Sequence, residues 1–81
     1  MKKKIAILGS TGSIGKSLIS IIRKKKNDYQ IVLLSANKNY HELLKQAKEF
    51  NVKNIIISDT KNFNKTKNDK RCKNRKIFKD F

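Results

Sequence analysis

Apolar positions along the chain fall into two alternating arrangements, which are short continuous runs and stripes at helical spacing. The central residues of three runs are all apolar, so these runs predict strands covered on both faces; they are Lys4–Leu8, Tyr29–Ser35 and Val52–Ser58. The segments between them predict helices over Ile14–Lys26 and from Asn39 to about Phe50. Strands that alternate with helices at this spacing indicate an α/β fold, with a parallel βαβαβ sheet and right-handed crossovers.

The two predicted helices have recognisable faces and ends. In the first helix, we expect one apolar face to be buried, made of Ile14, Leu18, Ile21 and Ile22. In the second helix, Asn39 is the predicted N-cap, and Glu42 follows three residues later as a capping-box partner. Asn51 is the predicted stop, because asparagine tolerates the left-handed conformation that often ends a helix.

Helix and strand periodicity ends at Asp59-Thr60. Residues 61–81 are mostly Lys, Asn, Arg and Asp, and such a segment buries too little apolar surface to offset its ordering entropy. We therefore predict an incomplete nucleotide-binding half-domain over residues 1–60, followed by a basic, low-complexity tail over 61–81. The tail is expected to be disordered or weakly helical. A basic arm that binds RNA is the alternative for this segment.

Three glycines at intervals of three residues follow the first predicted strand, in the order strand, glycine turn, helix. Gly9 lets the chain turn off the strand, Gly12 lets the backbone lie against a pyrophosphate, and Gly15 lets the helix pack closely. The free N–H groups of the helix would then point at the phosphates. The hydroxyls of nearby turn residues suit phosphate contacts as well; these residues are Ser10, Thr11 and Ser13. The sequence therefore predicts half of a Rossmann-like, dinucleotide-binding domain with three parallel strands and two helices.

The loop after the second strand bears on the choice of cofactor. A site for NAD usually places Asp or Glu there to hold the ribose 2′-hydroxyl, but this loop has no acid between Ser35 and Asn39. Lys38 would face a 2′-phosphate favourably, and Asn37 and Asn39 can donate hydrogen bonds to it. Lys38 taken alone is one of many lysines in a lysine-rich chain. Its position beside a glycine turn favours NADPH.

Composition limits the other functions. The 81 residues carry a net charge of +15, which is typical of proteins that bind nucleic acid, but the abundance of Lys, Asn and Ile favours a purely compositional origin. The single cysteine, Cys72, excludes an internal disulfide and fits a reducing, cytoplasmic compartment. The longest apolar runs, such as Ile31–Leu34, are too short to span a membrane. No nucleophile–base pair and no metal cluster is apparent, and His41 is expected to be a solvated surface residue.

Three strings of residues, Ile7–Gly15, Leu34–Asn39 and Ile55–Asp59, closely resemble the N-terminal NADPH-binding region of the 1-deoxy-D-xylulose 5-phosphate reductoisomerase family. The resemblance covers about residues 3–60. It implies cofactor contacts from Thr11, Gly12, Ser13, Ile14, Lys38 and Asn39. One departure lies at Asn37, where the family commonly has glycine.

The resemblance further implies a homodimeric parent enzyme of isoprenoid biosynthesis. That enzyme uses NADPH and Mg²⁺ or Mn²⁺ to convert 1-deoxy-D-xylulose 5-phosphate to 2-C-methyl-D-erythritol 4-phosphate. Family members are several times longer, and their metal ligands and substrate groups have no counterpart in residues 61–81. We therefore expect an inactive fragment from a truncated gene, a frameshift or a partial gene model. The alternatives are a separate nucleotide- or nucleic-acid-binding module, or another NADP-dependent oxidoreductase.

Overall fold

Four parallel strands form one sheet in the computed structural model, which describes residues 2–79. The strands are β1 (Lys3–Ile7), β2 (Tyr29–Ala36), β3 (Asn54–Ile57) and β4 (Lys76–Phe78). Their order across the sheet is β1-β2-β3-β4, and each neighbouring pair is parallel. The parallel α/β architecture predicted from the apolar pattern is therefore confirmed, and β1 lies at one edge of the sheet.

Three helices connect the strands, and α2 has the N-cap residue and the final residue that the sequence predicts. The helices are α1 (Ser13–Arg23), α2 (Tyr40–Phe50) and α3 (Thr60–Lys67). The Asn39 side chain accepts a hydrogen bond from the Glu42 amide at 3.2 Å, which satisfies a free donor in the first turn of α2. Asn51 ends α2 in the left-handed region, with φ of 54°.

The core lies where α2 packs against β2 and β3. Its central residues have no exposed surface; they are Leu34, Leu43, Leu44, Ala47, Val52, Ile55 and Ile57. Burying a side chain of this size stabilises a fold by about 1.5–3 kcal/mol, so these residues dominate the stability of the domain.

The buried face of α1 differs from the predicted one. Ile22 is buried, as expected, but its buried neighbours are Gly15 and Ile19. The other three apolar residues remain exposed, with 79% of Ile14, 44% of Leu18 and 54% of Ile21 accessible to solvent. Gly15 fixes the rotation of the helix, because it is the residue that can approach the turn after β1 most closely. The prediction for Ile14, Leu18 and Ile21 is thus wrong within the described residues.

Residues 60–79 contain regular elements, which corrects the prediction of a disordered or weakly helical tail; the last two residues of that predicted tail lie outside the described residues. This segment forms α3, a 3₁₀ turn at Lys70–Cys72 and β4, which pairs with β3. Phe63 and Ile77 pack against the core, and Cys72 is buried in it. The Arg75 guanidinium donates hydrogen bonds to the carbonyl oxygens of Ala47 and Val52, at 3.1 and 2.8 Å. A few buried apolar side chains and the hydrogen bonds of Arg75 thus hold the segment on the domain, despite its low apolar content.

The pairing of β1 with β2 contains one irregularity, a shift in register between Ile5 and Ala6. Ile5 pairs with Ile31 whereas Ala6 pairs with Leu33, so Val32 is an extra residue on β2. A bulge of this kind bends the strand that carries it and fixes the pairing beyond it. Beyond the bulge, Ile7 at the end of β1 pairs with Leu34, two residues before the end of β2.

Candidate functional site: a phosphate-binding turn and the loop beside it

The turn after β1 begins at Gly9, in a backbone conformation that glycine adopts more readily than other residues. Gly9 has φ of +68°, in the left-handed region where a side chain would be strained. The Gly12 amide donates to the Gly9 carbonyl oxygen at 3.1 Å, which closes the turn. Gly12 is then the N-cap of α1, in an extended conformation with φ of −77° and ψ of 174°.

The other two glycines differ in how much space surrounds them. A Cβ atom on Gly15 would lie 2.2 Å from the Gly9 carbonyl oxygen and 2.6 Å from the Ser10 Cα atom, so α1 could not pack as it does. A Cβ atom on Gly12 would meet only the Gly9 oxygen, at 3.5 Å, which is ordinary contact. The fold therefore requires glycine at position 15, whereas the free protein has room for a side chain at position 12.

The N-terminus of α1 is open to a ligand. Gly12 provides no side-chain cap, and the first turn of the helix contains no acidic residue. Ser13 and Ile14 are exposed and Thr11 is half-buried. The first N–H groups of a helix and the positive end of its dipole attract anions, and nothing in this turn competes for them. The arrangement suits a phosphate group.

Two polar residues that sequence analysis overlooked hold the turn in place. The Ser35 hydroxyl accepts a hydrogen bond from the Gly9 amide at 2.9 Å, and the Ser35 carbonyl accepts from the Ser10 amide at 2.8 Å. The Gln46 side chain donates to the Ser10 carbonyl oxygen at 3.0 Å. The Ser10 hydroxyl is buried and points to the Ser35 carbonyl, so Ser10 supports the turn instead of facing a ligand.

The second loop, residues 37–39, follows β2 and is tied to the end of β3. The Ser58 hydroxyl donates to the Asn37 side-chain oxygen at 2.8 Å, and the Asp59 amide donates to the Asn37 carbonyl at 3.0 Å. Asn37, Lys38 and Asn39 are all exposed. Among the described non-glycine residues only Asn51 has a positive φ, so Asn37 occupies the position of the family glycine without left-handed strain.

An acidic residue that sequence analysis did not assign to the site lies near Lys38. Asp59 is the N-cap of α3 and accepts hydrogen bonds from the Asn62 amide and side chain, at 3.1 and 2.7 Å. These bonds lower the pKa of Asp59, and the positive charges of Lys38 and Lys61 lower it further. The carboxylate therefore offsets part of the charge that Lys38 would offer to a phosphate.

Both loops lie at the carboxyl ends of neighbouring parallel strands, and Ser35 joins them. In open α/β sheets this edge is where ligands bind, and a glycine turn leading into a bare helix N-terminus is the usual cradle for a pyrophosphate. The fold and the site thus define the first half of a dinucleotide-binding domain.

The other chemistry-bearing residues do not form a second site of this kind. Within residues 2–79 no group of three or more His, Cys, Asp and Glu side chains is placed to hold a metal ion. His41 is exposed, as expected, and its Nδ1 atom lies 3.0 Å from the Arg71 Nη2 atom. Burial raises the pKa of the Cys72 thiol, so the neighbouring cations do not activate it. None of the described helices is long and apolar enough to span a bilayer.

The family model for 1-deoxy-D-xylulose 5-phosphate reductoisomerase matches residues 5–79 of this chain. The chain therefore belongs to that family, as the motifs in its first two loops predict. The matched segment extends through α3 and β4, so the family pattern includes most of the residues that we predicted to be a tail.

Curated relatives with this name include proteins from Pelagibacter ubique, 57% identical over 61 residues, and from a Wolbachia of Culex pipiens, 45% identical over 67 residues. The matches cover 75% and 83% of this chain, but only 16% and 17% of those relatives. The chain thus spans about a sixth of the length of the curated relatives it matches.

Two solved structures share the fold of the chain. A 1-deoxy-D-xylulose 5-phosphate reductoisomerase from Zymomonas mobilis in complex with NADPH has a TM-score of 0.87 at 30% identity, over 96% of this chain and 21% of that one. A reductoisomerase in complex with magnesium has a TM-score of 0.75 at 37% identity, over 83% of this chain and 16% of that one. NADPH and magnesium are thus ligands of structurally similar reductoisomerases.

Proposed function

We infer that this chain forms the first half of an NADPH-binding domain, with the pyrophosphate on the glycine turn and the 2′-phosphate on the second loop. The single observation that carries the inference is the bare N-terminus of α1, where Gly12 leaves the backbone open and no acid competes. A dinucleotide spans two loops at adjacent strand ends, and Ser35 fixes these two loops beside each other.

Each residue of the site has a proposed role. Amide or hydroxyl groups of Thr11, Ser13 and Ile14 bind the pyrophosphate, and Gly12, whose amide closes the turn, provides the open backbone surface against which it lies. The second loop binds the 2′-phosphate through the Lys38 ammonium and the amide groups of Asn37 and Asn39, all of which are exposed. Gly9, Ser10 and Gly15 hold the shape of the turn. The geometry fits the cofactor because Gly12 has no side chain, which leaves the space above the turn free for the pyrophosphate.

The activity of the parent protein follows from the family. We infer NADPH-dependent isomeroreduction of 1-deoxy-D-xylulose 5-phosphate to 2-C-methyl-D-erythritol 4-phosphate, with Mg²⁺ or Mn²⁺, by a cytoplasmic homodimer. The described residues include no metal cluster, so the metal would be bound by parts of a reductoisomerase outside them, and the family resemblance implies the same for the sugar phosphate. The 81-residue chain supplies cofactor contacts and is expected to have no turnover of its own.

Nucleic-acid binding, the alternative that the net charge suggests, has less support. Two arginines of the C-terminal segment are engaged within the protein, since Arg71 pairs with Asp69 and Arg75 bonds to three backbone carbonyls. A phosphate backbone would have to compete with these partners.

Cofactor choice tests the proposal directly. Titration of the ¹⁵N-labelled chain with NADPH and NADH, followed by amide shifts of residues 9–15 and 37–39, should show tighter binding of NADPH. A charge-assisted contact contributes roughly 1.5–3 kcal/mol, or about one to two decades in affinity, and Lys38→Glu should remove this preference.

The matched control is Lys24→Glu, which makes the same change of charge at an exposed position at the far end of α1. Equal affinity of the unmutated chain for both cofactors would refute the NADPH assignment. Measurable turnover of sugar phosphate, in a preparation free of full-length enzyme, would refute the claim that the chain lacks the catalytic part.

A further inference from the structure

We propose that Gln46 is a positioning residue for the phosphate-binding turn: its side-chain amide sets the shape of residues 9–12, and thereby the affinity for the pyrophosphate, without touching the ligand. The proposal rests on the proposed function, because it names a further residue of the same site. It concerns a buried side chain on α2, which is far in sequence from the turn that it contacts.

Gln46 is an unusual residue for its place in the core. Only 2% of it is exposed, among the fully buried Leu43, Leu44 and Ala47. Its Nε2 atom donates to the Ser10 carbonyl oxygen at 3.0 Å, whereas its Oε1 atom has no hydrogen-bond partner among the described residues. A buried oxygen without a donor is destabilising, and an apolar side chain of similar volume would avoid that penalty. The amide group is therefore explained by the bond that it makes.

That bond completes the fixation of one residue of the turn, Ser10, whose amide and carbonyl are then both bound. The Ser10 amide is bound by the Ser35 carbonyl at 2.8 Å, and the Ser10 carbonyl is bound by Gln46. The preceding amide, of Gly9, is bound by the Ser35 hydroxyl at 2.9 Å. Because the backbone is held on both sides of Ser10, the next residues enter α1 in one direction, with the first N–H groups aimed outward.

The same bond connects the two loops of the site. Gln46 lies on α2, and α2 begins directly after Asn39, at the end of the second loop. A single rigid helix thus carries the 2′-phosphate loop at its start and the contact to the pyrophosphate turn two turns later. The bond between Gln46 and Ser10 therefore helps to fix the distance between the sites for the two phosphate groups of one ligand.

Charged groups from two helices surround Gln46 and bear on any substitution there. Lys16 and Arg23 of α1 and Glu42 of α2 line the cleft in which Gln46 lies. Arg23 forms an ion pair with Glu49 of α2, so part of its charge is neutralised. A carboxylate at position 46 would face the Ser10 carbonyl oxygen and the two α1 cations at once.

The first test is Gln46→Met, which keeps the volume of the side chain and removes the donor. NADPH affinity of the ¹⁵N-labelled chain should fall about tenfold, because the turn is no longer held in one conformation. Stability should change little, with Tm shifted by less than about 4 °C, because one unpartnered buried oxygen (Ser10 O) replaces another (Gln46 Oε1). A purely structural role would lower affinity and Tm together.

The second test is Gln46→Glu, which adds a dependence on pH. The ionised carboxylate cannot donate to the Ser10 carbonyl, whereas the protonated form can. Affinity relative to the unmutated chain at the same pH should therefore be lowest near pH 7.5 and should recover as the pH falls through the pKa of the new carboxyl. Lys45→Gln is the control, because it makes the same change in net charge at the adjacent, exposed position.

The amide shifts of Gly9, Gly12 and Gly15 in the cofactor-free proteins separate this proposal from the proposed function. If the unmutated chain does not bind NADPH, the proposed function fails, and displaced glycine shifts in a folded Gln46→Met variant still support the positioning role. Unchanged glycine shifts in that variant overturn the positioning role. So does an affinity equal to that of the unmutated chain. If Gln46→Met does not fold, the recovery of Gln46→Glu at low pH decides, and its absence overturns the proposal.

Discussion

The two helices α1 and α2 have the same length of 11 residues, and both connect neighbouring parallel strands, yet they differ in how their apolar surface is covered. In α2 the residues Leu43, Leu44 and Ala47 have no exposed surface. In α1 the residues Ile14, Leu18 and Ile21 remain exposed. They recur at helical spacing, so they form one continuous apolar stripe, which lies beside the buried face of the helix.

The described residues complete the packing of α2 but not that of α1. Strand β1, from which α1 continues, is also incomplete, because within residues 2–79 it has a neighbouring strand on one side only. In a doubly wound sheet the first strand lies in the middle, with further strands on its other side. The stripe on α1 and the free edge of β1 are therefore consistent with a surface that further parts of a reductoisomerase would cover.

One substitution in each helix tests the difference in burial between α2 and α1, and the effect in α2 should be the largest of those predicted. Leu44→Ala removes a fully buried side chain from α2 and should lower the free energy of unfolding by about 2–5 kcal/mol. In a domain this small, that loss is a large part of the total stability. Leu18→Ala makes the same chemical change on the exposed stripe and should cost no more than about 0.5 kcal/mol. Urea unfolding of both variants measures the contrast. Equal losses of stability would show that the stripe is covered.

The next effect concerns how closely α1 approaches the sheet. Gly15→Ala should lower the free energy of unfolding by about 1–3 kcal/mol, because the new methyl group meets backbone atoms closer than 3.0 Å. Gly12→Val should cost no more than about 1 kcal/mol, since the extended conformation suits valine although valine is a poor N-cap residue, but it should abolish NADPH binding. Thermal unfolding and cofactor titration separate the two outcomes. Retained binding in Gly12→Val would argue against the phosphate cradle.

A smaller effect is expected on self-association. An apolar stripe beside a free strand edge promotes contact between copies, and the net charge of +15 opposes it, so association should increase with salt. Leu18→Glu should weaken this association about tenfold, because it places a charge in an apolar contact. Ser20→Glu, at an exposed position off the stripe, is the matched control. Sedimentation at two salt concentrations checks the prediction, and equal behaviour of both variants would contradict it.

The smallest effect concerns the ion pair between Asp69 and Arg71, at the 3₁₀ turn that packs against α2. Hydrogen bonds from the Arg71 side chain and amide lower the pKa of Asp69 to about 2. Because this value is below the ordinary pKa of the unfolded chain, the ionised carboxylate stabilises the fold above about pH 4 and this contribution is lost as the pH falls toward 2. The contribution is about 1 kcal/mol or less, since Arg71 is 37% exposed.

Urea unfolding at pH 6 and pH 3 measures this contribution. Asp69→Asn should reduce the loss of stability between the two pH values, whereas Asp28→Asn removes an exposed carboxylate elsewhere and should not. An identical loss in the unmutated chain and in Asp69→Asn would show that the ion pair does not contribute.

Sequence patterns predicted the local features of the fold and missed the features that depend on distant contacts. Asn39 and Asn51 were recognised as the ends of α2 because capping depends on a few neighbouring residues. The burial of α1 was misjudged because its apolar residues span a wide arc, and the contact of Gly15 with the turn selects which part of that arc faces the sheet. No local periodicity reports such a contact.

The same reason explains the C-terminal segment and the support of the site. The order of residues 60–79 depends on hydrogen bonds such as those from Arg75 to the carbonyl oxygens of residues 47 and 52. The low apolar content of the segment gives no sign of these bonds. Ser35 and Gln46 contact the glycine turn across 26 and 36 residues of sequence, and a serine in a strand or a glutamine in a helix has no pattern that marks it.

The bonds from Ser35 have a consequence for communication between distant surfaces. They attach the glycine turn to β2 at the end of β1, and β1 is an edge strand whose pairing opens more readily than that of an inner strand. Each opening of that edge releases the turn, and the apparent affinity for the cofactor falls with the fraction of molecules in which the turn is held. A strand added to the free side of β1 would therefore act as an allosteric activator of nucleotide binding without touching the nucleotide. Slower hydrogen exchange at the amides of Gly9 and Ser10 would record its arrival.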